Sequence, residues 1–178
     1  MPATDSDAAP ATFPEGAEIE EFTVYGFSIS YPQVCRIEFN PKARREKGDI
    51  VFHFPDRERI FLSWGKLQDV QKRFQTLEAQ VEQTMKIVQK SSNIVKLERT
   101  KQLSLTVNSH RAEYNHIKID EKVPGLFSRR SIARTAHSLH LRCDQSGRYF
   151  AIYAMLSPSA PEDFGDLFLS MSNSFKCH

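Results

Sequence analysis

The sequence predicts an α+β fold, a mostly antiparallel β-sheet sandwiched by a long helix and a short C-terminal helix. Three observations carry this. In residues 149–156, Phe150, Ile152, Ala154 and Leu156 alternate with Tyr149, Ala151, Tyr153 and Met155, so both faces of that strand are apolar. In residues 67–88 the apolar spacing changes to steps of three and four, the period of a helix. Phe164, Leu167, Phe168 and Met171 repeat that period near the C-terminus. A strand apolar on both faces needs cover on both, and two one-faced helices supply it.

Residues 1–17 carry three prolines with Ala, Thr, Ser and acids, too little apolar area to offset ordering entropy. They are expected to form a disordered tail before a single domain over residues 18–178. Phe22 and Val24, then Phe27, Ile29 and Tyr31, read as two short strands about a Tyr25-Gly26 turn. Residues 34–39 form a third strand with Cys35, Ile37 and Phe39 on one face. Ile50, Phe52 and Phe54 define a fourth strand, and Ile60, Leu62 and Trp64 a fifth. The spacing suggests an antiparallel meander.

From Gly65 to about Lys90, the residues Leu67, Val70, Phe74, Leu77, Val81, Met85 and Val88 form one stripe on a single long helix. That helix is expected to dock on the sheet, with Glu82 and Lys86 as an i,i+4 pair outside. Strands return over residues 94–105, 111–119, 131–143 and 149–156, the last two joined by a Gln145-Ser146-Gly147 turn. Ser159 and Glu162 have the spacing of a capping box opening the last helix.

The chain has 178 residues, one domain's worth, and a chain of 20.5 kDa buries roughly 70% of its surface. The composition excludes collagen, full disorder, a disulfide scaffold and a membrane-spanning protein. The first 21 residues hold six of the 22 acids and none of the 24 Lys and Arg, leaving a body of +8 behind a segment of −6. Such a body attracts anionic partners. The N-terminus lacks the basic and apolar regions of a signal peptide. The three cysteines, without a CxxC, are read as reduced thiols of a cytoplasmic protein, with Cys35 and Cys143 as small buried hydrophobes.

The segment Tyr25-Gly26-Phe27-Ser28-Ile29-Ser30-Tyr31-Pro32 resembles the opening of Mog1/PsbP-like domains. Leu62-Ser63-Trp64 before a helix, residues 109–114, residues 146–153 and Ser174-Phe175-Lys176-Cys177 follow in the family's order. The resemblance spans residues 19–177 and implies an α/β/α sandwich. The family includes a Ran-binding nucleotide-release factor, photosystem II accessory subunits and many small proteins. What they share is binding to other proteins, and none of their functional residues is carried over here. Without a lumenal targeting pattern, a photosystem role is not expected.

The sequence contains no GxGxxG, GxxxxGK[ST], GxSxG or HExxH, so nucleotide, hydrolase and zinc-protease chemistry lose their usual signatures. Among the histidines, His137 and Cys143 share a strand face and His140 the opposite one. Local spacing assembles no tetrahedral set, and nothing in the sequence orients Cys177-His178. No catalytic residue, cofactor or metal is therefore expected. Two basic clusters remain. Leu126, Phe127, Arg129, Arg130 and Arg134 combine apolar groups with arginine, the composition of a protein interface. Lys42, Arg44, Arg45 and Lys47 form a second basic loop. The expectation is a non-catalytic accessory or adaptor protein that binds another protein through sheet-edge loops. The alternative is a nucleic-acid-binding module that uses the basic +8 body, with Arg111, Arg142 and Arg148 as the candidates to line one face.

Overall fold

The computed structural model describes residues 12–123 and 130–178. Its fold is α+β and mostly antiparallel. The strands β1 (Ile19–Val24) and β2 (Phe27–Pro32) form a hairpin of their own rather than joining a meander. Tyr25 and Gly26 both take positive φ in its turn, 51° and 79°. The main sheet contains β3 (Arg36–Phe39), β4 (Gly48–His53), β5 (Arg59–Lys66), β6 (Ile94–Val107), β7 (His110–Val123), β8 (Arg130–Cys143) and β9 (Arg148–Leu156). Their order is β3-β4-β5-β9-β8-β7-β6, every neighbouring pair antiparallel, with β9 at the centre.

Register assigns the faces. Leu62, Ile152 and Leu139 lie side by side across β5, β9 and β8, as do Trp64, Phe150 and Leu141. This face meets the β1–β2 hairpin and α3 (Phe164–Ser174) in the main core, where Phe27 sits among the rings of Trp64, Phe150 and Phe175. Phe13 packs against the same core, so residues 12–17 are not wholly apart from the domain; residues 1–11 lie outside the described residues. The opposite face carries Ile117 and Ile119, on which Leu77, Val81 and Met85 of α2 (Leu77–Gln89) pack.

The single long helix is not observed. β5 runs on through Gly65 and Lys66, paired with Tyr149 and Arg148, and only α1 (Leu67–Gln71) follows it. The chain breaks at residues 72–76, and Thr76 caps α2 by accepting the Ala79 N–H at 3.2 Å. The break is held by Arg142 of β8. Its guanidinium donates to the carbonyls of Phe74, Gln75 and Thr76 at 3.1, 3.1 and 2.9 Å. The Phe74 and Gln75 carbonyls would otherwise bond along a continuous helix, whereas the Thr76 carbonyl also accepts the Gln80 N–H at 3.3 Å in the first turn of α2. Glu82 pairs with Arg99 at 2.6 Å rather than with Lys86.

Two further corrections follow from tertiary contacts. Ser159 does not cap α3, whose N-cap is Asp163 without a side-chain bond. The preceding turn is anchored instead by buried Glu58, which accepts from the Ser157 N–H at 3.2 Å and from its hydroxyl. Cys143 and Cys177 are joined as a disulfide, not separate thiols. The end of β8 and the segment after α3 meet there with a Cα separation of 6.5 Å, within bridging reach. Cys35 is buried and unpaired. Among the described residues, no helix is long and apolar enough to cross a membrane.

Candidate functional site

Because α1 and α2 are short, they cover only part of the second face. Along β9, Phe150, Ile152, Ala154 and Leu156 are buried, while Tyr153 and Met155 remain 42% and 44% exposed. The expected double cover of this strand is therefore incomplete. The uncovered strip is the floor of a groove of about 940 Å3. Tyr149, Tyr153 and Met155 of β9, with Ser138 and His140 of β8, line the floor. Val70 of α1, Phe74 of the break and Val81 and Met85 of α2 form the opposite wall. The Tyr153 ring stacks on Phe61 with centroids 5.0 Å apart and 8° between planes. At Gly65 the chain passes so close to the Tyr149 ring that a Cβ there would lie 2.5 Å from it.

The rim is basic. Arg44 and Lys47 reach the groove from the β3–β4 loop, and Lys66 and Arg73 from either end of α1, against Glu46 and Asp69. The loop's backbone is fixed. Arg44 and Lys47 bond to each other's main chain, the Arg44 carbonyl accepts from the Trp64 indole at 2.9 Å, and the Arg45 carbonyl from Arg148 at 3.4 Å. The side chains of Lys42, Arg44, Arg45 and Lys47 are left exposed. Of this basic loop, Arg44 and Lys47 thus border the groove.

Only part of the other expected cluster falls among the described residues. Leu126, Phe127 and Arg129 lie outside the described residues. Arg130 opens β8, exposed, and Arg134 donates from Nε to Glu121 at 2.9 Å in a half-buried pair. Nor do the three other arginines make a stripe. Arg142 is spent on the helix break, Arg111 pairs with Glu78 and Glu113, and Arg148 is 4% exposed beside Phe27 and Phe150.

Buried histidines flank the sheet on both sides. His137, under α3, lies 2.8 Å from the Tyr114 hydroxyl through Nδ1, with its ring 4.8 Å from that of His116. His140 is buried on the groove side. Burial pushes both rings down to about 4, with His116 adding to the effect on His137, so both are neutral at pH 7.

At the far end of the main core, His110, Cys143, Cys177 and His178 converge, their ligand atoms all within 4.8 Å of one another. His110 opens β7, Cys143 ends β8, and the other two follow α3. Sequence spacing did not reveal this set, because three distant segments supply it.

The sequence matches no protein-family model and no curated protein. Cyanobacterial PsbP (CyanoP) from Synechocystis sp. PCC 6803 superposes with a TM-score of 0.65 at 12% identity, covering 96% of this chain and 100% of that one. The fold is PsbP-like. At that identity the PsbP-like likeness concerns architecture and carries over no activity. A Bacteroides thetaiotaomicron protein (TM-score 0.48, 10% identity, 85% of this chain and 45% of that one) is more distant from it. So is PA94, a putative regulator from Pseudomonas aeruginosa (0.43, 8%, 79% and 84%).

Proposed function

We propose that this protein is a non-catalytic accessory protein that binds another protein. Its groove between α1–α2 and the sheet takes an apolar segment of that partner flanked by acidic residues. The observation that carries the reading is the half-open apolar face of the central strand, where Tyr153 and Met155 are exposed beside the stacked Phe61 ring. Tyr and Met are enriched at interfaces because they offer much contact area with adaptable packing. Arg44, Lys47, Lys66 and Arg73 outnumber Glu46 and Asp69 at the rim and favour acidic flanks. The engagement of Arg111, Arg142 and Arg148 within the fold speaks against a nucleic-acid track.

The test uses two labelled peptides sharing one Leu/Phe core, one flanked by Glu and the other by Lys, with anisotropy read on the full chain. The Glu-flanked peptide should bind, the Lys-flanked one should bind at least tenfold more weakly, and Tyr153→Glu with Met155→Glu should abolish binding. Equal binding of the two peptides, preferential binding of a fatty acid, or a self-associated dimer that buries the groove would overturn the proposal. So would tight binding of mixed-sequence RNA or DNA at 150 mM salt, where weak phosphate-driven contacts are largely lost.

A further inference from the structure

The cluster at the end of β8 has the composition of a metal centre. His110 Nε2 lies 4.0 Å from Cys143 Sγ, and His178 Nδ1 lies 3.5 Å from Cys143 Sγ and 3.3 Å from Cys177 Sγ. In a tetrahedral Cys2His2 zinc site, bonds of ~2.3 Å to sulfur and ~2.0 Å to nitrogen place neighbouring ligand atoms ~3.3–3.8 Å apart. The four ligand atoms here lie within 4.8 Å of one another. A disulfide alone has no use for two imidazoles, yet two are brought to it from separate segments.

The surroundings hold these segments in place. Asn108 and Ser109, with φ of 43° and 68°, make the tight turn that delivers His110. The Asn108 amide donates to the Phe175 carbonyl, tying that turn to the chain leading into Cys177. Ser28 and Lys176 exchange backbone hydrogen bonds of 2.9 Å, and Arg148 donates to the Cys177 carbonyl at 3.4 Å. Cys143 and Cys177 are 0% and 2% exposed, whereas His178 is exposed, so an ion has an approach from one side. Two thiolates and two neutral imidazoles balance a divalent cation, so the bound site is neutral and tolerates the nearby Arg148.

We propose that, when the Cys143–Cys177 pair is reduced, His110, Cys143, Cys177 and His178 bind one zinc-class divalent ion in tetrahedral coordination. Disulfide and metal are then alternative states of one site. A peroxide takes two electrons from the two thiolates and forms the Sγ–Sγ bond. Its O–O bond breaks, two protons complete two waters, and the ion leaves as the unchanged divalent cation.

The experiment uses the full chain reduced with a phosphine, the reductant then removed anaerobically and three thiols confirmed by titration. Cobalt(II) is the probe. One equivalent should bind with the ligand-field bands of tetrahedral cobalt and thiolate-to-cobalt charge transfer, and the disulfide form should bind none. Outer-shell changes alone weaken metal sites about 10–100-fold, so His110→Ala and His178→Ala should each weaken binding by more than ~100-fold. Peroxide added to the zinc-loaded protein should release one zinc per disulfide formed. Cys143→Ser risks misfolding because the residue is fully buried; His178→Ala, at an exposed position and checked by circular dichroism, keeps the test decisive. The proposal fails if the folded, reduced protein takes up no cobalt or takes it up without thiolate charge transfer. It also fails if neither histidine variant changes the spectrum, or if the disulfide resists reduction in the folded protein.

Discussion

Acidification from pH 7 to pH 5 is expected to weaken this fold through two rings on opposite faces of β8. His137 and His140 are 6% and 7% exposed. His137 is enclosed by Tyr114, Phe168 and the backbone at Gly165, and His140 lies beneath the wall of the groove built from α1, α2 and the break between them. Burial pushes both down to about 4 from the usual 6.5. Between those values the unfolded chain holds protons that the folded chain excludes. The stability these rings contribute is therefore fully present above about pH 6.5 and lost as the pH falls toward 4. At pH 5 the loss is about 2 kcal/mol per ring, since each pH unit below the unfolded-state value costs about 1.4 kcal/mol. Roughly 4 kcal/mol together is a large part of a typical total of about 5–15 kcal/mol. Urea unfolding followed by circular dichroism at pH 7, 6 and 5 measures this. The double variant His137→Gln, His140→Gln does not titrate in that range and should lose about 4 kcal/mol less than wild type over the same interval. Equal losses in the two proteins would assign the acid sensitivity to groups other than these two rings and refute the argument.

Phe27→Ala should cost ~3–5 kcal/mol, because its ring is 1% exposed and packed among three aromatics. Phe74→Ala, at a half-buried position in the helix break, should cost less than ~2 kcal/mol, and chemical denaturation compares the two. Gly65→Ala should cost ~1–3 kcal/mol by pushing the Tyr149 ring aside, and should also weaken peptide binding in the groove. Arg142→Met should destabilise by about 3 kcal/mol, because hydrogen bonds to a charged group contribute about 1.5–3 kcal/mol and three carbonyls lose their shared donor. Faster hydrogen exchange at residues 72–80 would locate that loss, and exchange unchanged there would contradict the assigned role.

Strand positions were legible because period-2 alternation is a local property of the chain. The nine strands among the described residues fall where the alternation put them, with ends moved by a few residues, and β9 sits at the centre as its two apolar faces required. The resemblance of the Tyr25–Pro32 segment pointed to the PsbP-like architecture for a similar reason, since the order of local motifs survives at low identity. The helix over residues 65–90 was misread because its seven apolar residues keep helical spacing across a break. The local sign of that break is Thr76, an N-cap residue just before Leu77, which the unbroken apolar spacing masks. The break is made by Arg142, a side chain 66 residues beyond Thr76, and by the extension of β5 against β9. The shortened helices in turn leave Tyr153 and Met155 open, so the groove could not be found in the sequence even though its floor was named there. Arg44 and Lys47 were legible as a basic loop, but not as the border of an apolar cleft. The Cys2His2 cluster lies beyond sequence reasoning for the same physical cause. Its ligands stand at residues 110, 143, 177 and 178, and only the packing of α3 and its following segment across the sheet draws them within reach. Alternation and composition act between neighbours and determined the elements; the distances at which side chains bind are decided by how those elements pack.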